Sequence, residues 1–264
     1  MYLRFGSYRL HPHIFFETLS YFVAFRVYLS VRRRFGDSLA IPIRWVVIAA
    51  AVSGAAIGSK VLYWLEDPRL TLANLHNPAF LMGGKTIVGA LIGGLAMVEL
   101  VKHLIGLRTS TGDLYAIPLA LGIAIGRIGC FLTGLADNTY GTATSLPWGI
   151  DFGDGVRRHP TQLYEIVFLL MLIPVLYVVL RQIPLRSDTP SIEKNSHFFS
   201  GDAFKVFMIA YAILRLLIDF IKPYPRLLLG LGGIQWACVA ILLYYAPDIW
   251  LWIHPARKGG LATA

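Results

Sequence analysis

Seven runs of mostly apolar residues, near 14–30, 45–65, 87–105, 114–134, 161–181, 204–222 and 228–250, account for most of this chain. Each is close to the roughly 20 helical residues needed to cross a hydrocarbon core about 30 Å thick. No water reaches that depth to take up backbone N–H and C=O groups, so each run is expected to close its hydrogen bonds internally, as a helix. The hydrophobic share of 56% exceeds the roughly 45 to 50% of soluble domains, and only 15% of residues are charged. A soluble enzyme and a disordered chain are thereby excluded. The expected fold is all-α: one polytopic transmembrane domain over 1–264 with seven transmembrane helices. The first run holds Glu17 and Arg26 and leads into Arg32, Arg33 and Arg34 without a small-residue cleavage site, so it reads as a retained helix rather than a signal peptide.

A net charge of +9 in a soluble protein would point to nucleic acid. Here the basic residues gather between apolar runs, where membrane orientation and anionic headgroups call for them, so no nucleic-acid partner is expected. Twelve Lys and Arg flank the runs on one side, including Arg32 to Arg34, Arg44 and Lys102, against eight on the other, including Lys222. The richer side is expected to be cytoplasmic, placing the N-terminus outside and the C-terminus inside. That orientation puts the polar loop 182–203 in the cytoplasm. It puts the segment 135–160, rich in Gly, Pro, aromatics and paired charges, on the outer face, where its composition suggests a built structure rather than a connection.

Ionisable residues inside spanning helices are costly and mark functional sites. Arg127 lies within GRIGCF of the fourth run, and Tyr211, Arg215 and Asp219 are spaced four apart on one face of the sixth. One reading is an Arg215–Asp219 ion pair that only locks the bundle. The other starts from Arg127, which has no sequence-local counterion and so invites an anion. Two guanidinium forks in a low-dielectric cavity would hold a phosphodiester such as a phospholipid headgroup. Gly122, Gly126, Gly129 and Gly134 would permit close helix approach.

RHPTQLYE opens the fifth run. Its His159 is either a proton carrier or a hydrogen-bonded structural residue. Gln162, Tyr164 and Glu165 read as a polar network fixing the loop to the bundle. Glu17 and Lys60 are further intramembrane charges that could pair with each other. The glycines of GGKTIVGALIGG fit close helix packing, or an interrupted helix, better than a phosphate-binding loop. Cys130, one turn past Arg127, reads as a packing residue, and no activating base is visible beside it in sequence. Neither cysteine has metal-ligand spacing, and no CxxC, HExxH or P-loop is present, so no metal, nucleotide or other cofactor is expected.

Taken in order, Gly83-Gly84 with Gly89 and LIG, Asp113, GRIGCF, RHPTQLYE, the Tyr211, Arg215 and Asp219 series, and Gln235 resemble the bacterial prolipoprotein diacylglyceryl transferases, across about residues 14 to 240. The resemblance implies a seven-span inner-membrane enzyme. It would move diacylglyceryl from phosphatidylglycerol to the lipobox cysteine thiol in the signal peptide of a prolipoprotein, with glycerol phosphate leaving. It also implies that Arg127 and Arg215 are the family's essential arginines, and that Tyr211 and Asp219 stand for its tyrosine and glutamate. Catalytic roles then fall to Arg127, Arg215, Tyr211, Asp219 and His159. Gly126, Gly129, Cys130, Arg158, Gln162, Glu165 and Glu17 would line the substrates. The family's usual histidine is Val88 here, its asparagine is Cys130, and its tyrosine in the first helix corresponds to Glu17. Asp137, in a longer LADNTYG turn, stands where the family has a short acidic one. The base that deprotonates the acceptor thiol is open among His159, Glu17 and the departing phosphate. Also open are a diverged paralogue using another acceptor, a non-catalytic phospholipid-binding protein, and a transporter.

Overall fold

The computed structural model describes residues 3–5, 8–37, 39–183 and 198–254, which are mostly helical. A hairpin of β1 (Leu3–Phe5) and β2 (Tyr8–Leu10) precedes α1 (Pro12–Phe35), α2 (Ile41–Glu66), the short α3 (Pro68–Ala73) and α4 (Pro78–Met82), and α5 (Ile87–Leu104). Then come α6 (Asp113–Thr133), a hairpin of β3 (Ile150–Asp151) and β4 (Arg157–Arg158), α7 (Thr161–Gln182), α8 (Asp202–Ile218), α9 (Gly233–Tyr244) and α10 (Ala246–Ile253).

Among the described residues, α1, α2, α5, α6 with its following turn, and α7 are long and apolar enough to cross a membrane. The α9–α10 pair is a sixth candidate, bent by 51° at Tyr245. The chain is a multi-pass membrane protein. Two of the seven expected runs differ from straight spans. The sixth forms a 17-residue α8 that tightens into a 3-10 turn at Asp219–Ile221, just before Pro223. The last breaks ahead of Pro247, whose missing N–H cannot continue the helical ladder. The charge count changes too: Arg44 and Lys102 are buried helix residues, and Lys222 is buried rather than a loop charge. Most of the expected cytoplasmic loop, with Arg186 and Lys194, lies outside the described residues, as do Arg257, Lys258 and the side chains of Arg4 and Arg9.

The helices fall into two compact units. The first, within 1–37 and 112–223, holds α1, α6, α7 and α8. Its helices α1 and α7 both pack along α6. Gly129 makes the first of these contacts possible, since a Cβ there would lie 2.8 Å from Phe16 Cβ and 3.2 Å from His13 Cα. The core of this unit includes Ala116, Ala120, Leu169, Leu176, Phe207 and Met208, all nearly inaccessible. Asp113, the first residue of α6, also caps α8. Its buried carboxylate accepts N–H bonds from Gly201 (2.5 Å), Ala203 (3.0 Å) and Phe204 (3.3 Å), satisfying orphan donors at the positive end of that helix.

The second unit, within 38–111 and 224–264, is built on α2 against α5. Gly54 and Gly58 face Gly89 and Gly93, each pair four residues apart. A Cβ on Gly58 would lie 2.3 Å from the Gly89 carbonyl oxygen, and one on Gly93 2.2 Å from that of Gly54. The expected packing role of these glycines is therefore met by direct backbone contact, as small-residue spacing allows in a bilayer. Ahead of α5, Thr86 caps its first turn through Gly89 N–H, and Gly84 takes φ +45. We expect Gly93→Leu to abolish detergent-stable folding, because no rotamer can avoid the facing backbone. Gly94→Ala, whose nearest neighbour is at 3.3 Å, should stay near parental. Gel-filtration recovery and thermal unfolding in detergent read both, and a normally folded Gly93→Leu would refute the assignment.

Candidate functional site

Helix α7 enters the bundle from the 135–160 segment, and its first residues divide between two tasks. Thr161 Oγ1 donates to the Thr139 carbonyl at 2.6 Å, and Gln162 Nε2 donates to Thr139 Oγ1 at 3.2 Å, tying the loop to the helix. One turn deeper, Glu165 is completely buried. Its Oε2 accepts Arg127 Nε from α6 at 2.8 Å and Tyr211 Oη from α8 at 3.3 Å. Its Oε1 accepts Arg215 Nη1 at 2.9 Å and Lys222 Nζ at 3.1 Å. Arg215 also reaches Asp219 Oδ1 through Nη2 at 2.8 Å.

The structure thus brings together Arg127, Tyr211, Arg215 and Asp219, and the spacing of four places the last three on one face as expected. Two readings are corrected. Arg127 has a counterion, 38 residues away on another helix, so it was invisible to local sequence. Glu165 belongs to this buried cluster rather than to the loop anchor formed by Thr161 and Gln162. Lys222 was missed because its position near the end of an apolar run made it look like an interfacial charge. Arg127, Arg215 and Lys222 against Glu165 and Asp219 give this group a formal charge of +1.

A second cluster adjoins the first. His13 on α1 places Nδ1 2.9 Å from Asp137 Oδ1 and 3.9 Å from Cys130 Sγ, while its Nε2 lies 3.5 Å from Glu17 Oε2. Arg127 Nη1 is 3.8 Å from the same sulfur, so Cys130 joins the two clusters. Thr139 Oγ1 donates to Asp137 Oδ2 at 2.6 Å, and Tyr21 donates to Glu17 Oε1 at 3.1 Å. Cys130 is therefore not a plain packing residue, and Glu17 is partnered by His13 and Tyr21 rather than by Lys60. Lys60 donates instead to the carbonyls of Met82, Gly83 (2.5 Å) and Gly84 (2.7 Å), closing the turn before α5.

The remaining expected site residues are in the loop. His159 Nδ1 is 3.2 Å from Tyr164 Oη, which also accepts Trp148 Nε1 at 2.8 Å. Arg158 forks onto Asp154 at 2.6 and 2.7 Å and lies 5.1 Å over the Tyr140 ring. That exposed fork holds the Asp154 carboxyl below its ordinary range, so the pair persists above that range and is lost as pH falls through the lowered value. Arg157 donates to the carbonyls of Gly149 and Pro147, and Asp151 Oδ1 accepts three successive N–H groups of the β3–β4 turn. The segment is built, as its composition suggested. Gly129 is the close-approach glycine of GRIGCF, whereas a Cβ on Gly126 would meet nothing within 4 Å.

A family profile described as prolipoprotein diacylglyceryl transferase matches residues 18–254. Similar curated proteins bear the name phosphatidylglycerol–prolipoprotein diacylglyceryl transferase. That of Desulfotalea psychrophila is 30% identical over 227 residues, covering 81% of this chain and 76% of the relative. That of Bordetella parapertussis is 30% identical over 256 residues, covering 91% and 90%. That of Finegoldia magna is 33% identical over 204 residues, covering 75% and 73%.

Proposed function

Because the chain belongs to the prolipoprotein diacylglyceryl transferase family, we propose that it transfers diacylglyceryl from phosphatidylglycerol to the lipobox cysteine of prolipoproteins in the bacterial inner membrane. The observation that carries this reading is the convergence of Arg127 and Arg215, from different helices, on one buried carboxylate. Glu165 orients both guanidiniums, and Lys222 and Tyr211 complete the group.

In the reaction a thiolate sulfur attacks the glyceryl carbon and a C–S bond forms. The C–O bond to the phosphate breaks, and its electron pair stays on departing glycerol phosphate. Negative charge grows on that oxygen, and fixed guanidiniums in a water-poor site stabilise it without reorganising. Tyr211 and Asp219 position Arg215 through the same group. His159, Arg158 and Gln162 organise the outer loop against which the acceptor peptide would lie, next to the cluster that holds Glu17.

The test is release of glycerol phosphate from headgroup-labelled phosphatidylglycerol by the purified chain, with and without a lipobox peptide. Release that requires the cysteine peptide is expected, and lipid binding without release would overturn the reading.

We also propose seven spans, with α8 and the bent α9–α10 pair as the last two crossings, the N-terminus and residues 135–160 outside and the 182–203 loop in the cytoplasm. The Arg32 to Arg34 cluster after the first helix supports this orientation. A cysteine tag at residue 190 should react only after cells are opened, and one in the turn at 153 should react in intact spheroplasts. The opposite pattern would reverse the orientation.

A further inference from the structure

We propose that His13, Cys130 and Asp137 bind one divalent ion of the zinc class, and that its remaining coordination position takes the acceptor's thiol sulfur. The ion-binding half stands on geometry alone, and the thiol half rests on the transferase reading above.

An imidazole nitrogen, a thiol sulfur and a carboxylate oxygen converge from α1, α6 and the turn after α6, with all three donor atoms within 4.8 Å of one another. These donor types are the ones zinc takes, at about 2.0 to 2.3 Å each. Tetrahedral placement at those lengths separates neighbouring donors by about 3.3 to 3.7 Å. The observed 2.9 Å from His13 Nδ1 to Asp137 and 3.9 Å from His13 Nδ1 to Cys130 bracket that range, so small side-chain rotations suffice.

The surroundings are those of a ligand set rather than of three adjacent polar groups. A metal-bound histidine generally gives its other nitrogen to a carboxylate, and Glu17 sits 3.5 Å from His13 Nε2. With an ion in place of the proton now shared by His13 Nδ1 and Asp137, the ring N–H would be on Nε2, facing Glu17. Thr139 holds the second oxygen of Asp137, as ligating carboxylates require. Gly129 lets α1 come close enough for His13 to reach Cys130. Charge balances as well. A divalent ion with thiolate and carboxylate is neutral, and Arg127 keeps its own counterion in Glu165.

Three protein ligands leave a zinc position open, as in catalytic rather than structural sites. The His13 side chain is 29% exposed, so the cluster is reachable. A thiol that coordinates the ion loses its proton outright to solvent, and the resulting thiolate is the nucleophile. It would form beside Arg127, whose Nη1 is 3.8 Å from Cys130 Sγ, and so next to the lipid phosphate held by the arginines. The sulfur then attacks the glyceryl carbon, and the electron pair of the broken C–O bond leaves with glycerol phosphate.

The experiment uses the full chain, purified in detergent and stripped with chelator. Zinc retained after gel filtration should be one equivalent, and cobalt(II) should give a sulfur-to-cobalt charge-transfer absorption. Cys130→Ser should remove that absorption, Cys238→Ser should keep it, and Glu17→Gln should weaken zinc about 10- to 100-fold. A lipobox cysteine peptide should change the cobalt spectrum, and its serine counterpart should not. Should Cys130→Ser not fold, the parent titration and His13→Asn decide. Absence of the absorption in the parent, or its survival in Cys130→Ser, overturns the site and leaves His13 as an imidazolium held between two carboxylates. Turnover of phosphatidylglycerol by chain that binds no metal would remove the site but keep the transferase. Stoichiometric metal without turnover under any condition would do the reverse.

Discussion

Arg127→Lys should fold like the parent chain yet turn over phosphatidylglycerol about a hundred- to a thousand-fold more slowly, the range seen when one preorganised donor to a developing oxyanion is lost. Lysine keeps the charge and can still reach Glu165, so the buried cluster stays neutralised to the same degree. It loses the planar fork that grips phosphate through two parallel bonds. Arg215→Lys should behave alike. The contrast is Arg215→Met with Asp219→Leu, which removes that ion pair and substitutes apolar side chains. Buried pairs often tolerate such replacement without loss of stability. If Arg215 only locks the bundle, this double variant will be active. Labelled-lipid turnover on detergent-stable protein reads all three, and near-normal activity in the double variant would end the phosphate role of Arg215.

Among the charged residues, the largest stability change is expected at Glu165. Glu165→Gln has nearly the shape of the parent residue but removes the carboxylate that Arg127, Arg215 and Lys222 share, leaving Asp219 to face three buried cations. Removing one partner from a buried ionic group costs about 3 to 5 kcal/mol. Thermal unfolding in detergent should show that loss, whereas Asp154→Asn, on an exposed loop pair, should barely shift the midpoint. A Glu165→Gln variant as stable as the parent would mean that this carboxylate does not hold the helices together.

What sequence could reveal here follows from the range of the interactions. Apolar runs, the spacing of Tyr211, Arg215 and Asp219, and the glycine series report local geometry, and the helices and faces they imply are in the structure. At Pro223, just past one run, and Pro247, inside another, the helix tightens or bends, which a stretch of apolar residues does not show. The counterion of Arg127 was hidden for a different reason. Within a bilayer a charge must find its partner wherever another helix supplies one, and Glu165 looked like part of an interfacial motif because its neighbours Thr161 and Gln162 are. His13 and Cys130, 117 residues apart, carry no spacing signal at all. Only the absence of a side chain at Gly129 hints that α1 comes so near.

The shared cap at Asp113 acts as a common zero mark for two rulers. Helices α6 and α8 both start from it and run in the same direction into the unit. The 14 residues from Asp113 to Arg127 rise about 21 Å, and the 12 from Ala203 to Arg215 rise about 18 Å, so the two guanidiniums arrive at nearly one depth. Inserting a single residue after the cap in either helix would lift its arginine by about 1.5 Å and swing it about 100° around the axis, away from Glu165. Length changes between the end of α7 and Gly201 leave both distances untouched. Related chains should therefore vary freely in length between the end of α7 and Gly201, and keep a fixed count from Asp113 to Arg127 and from Ala203 to Arg215.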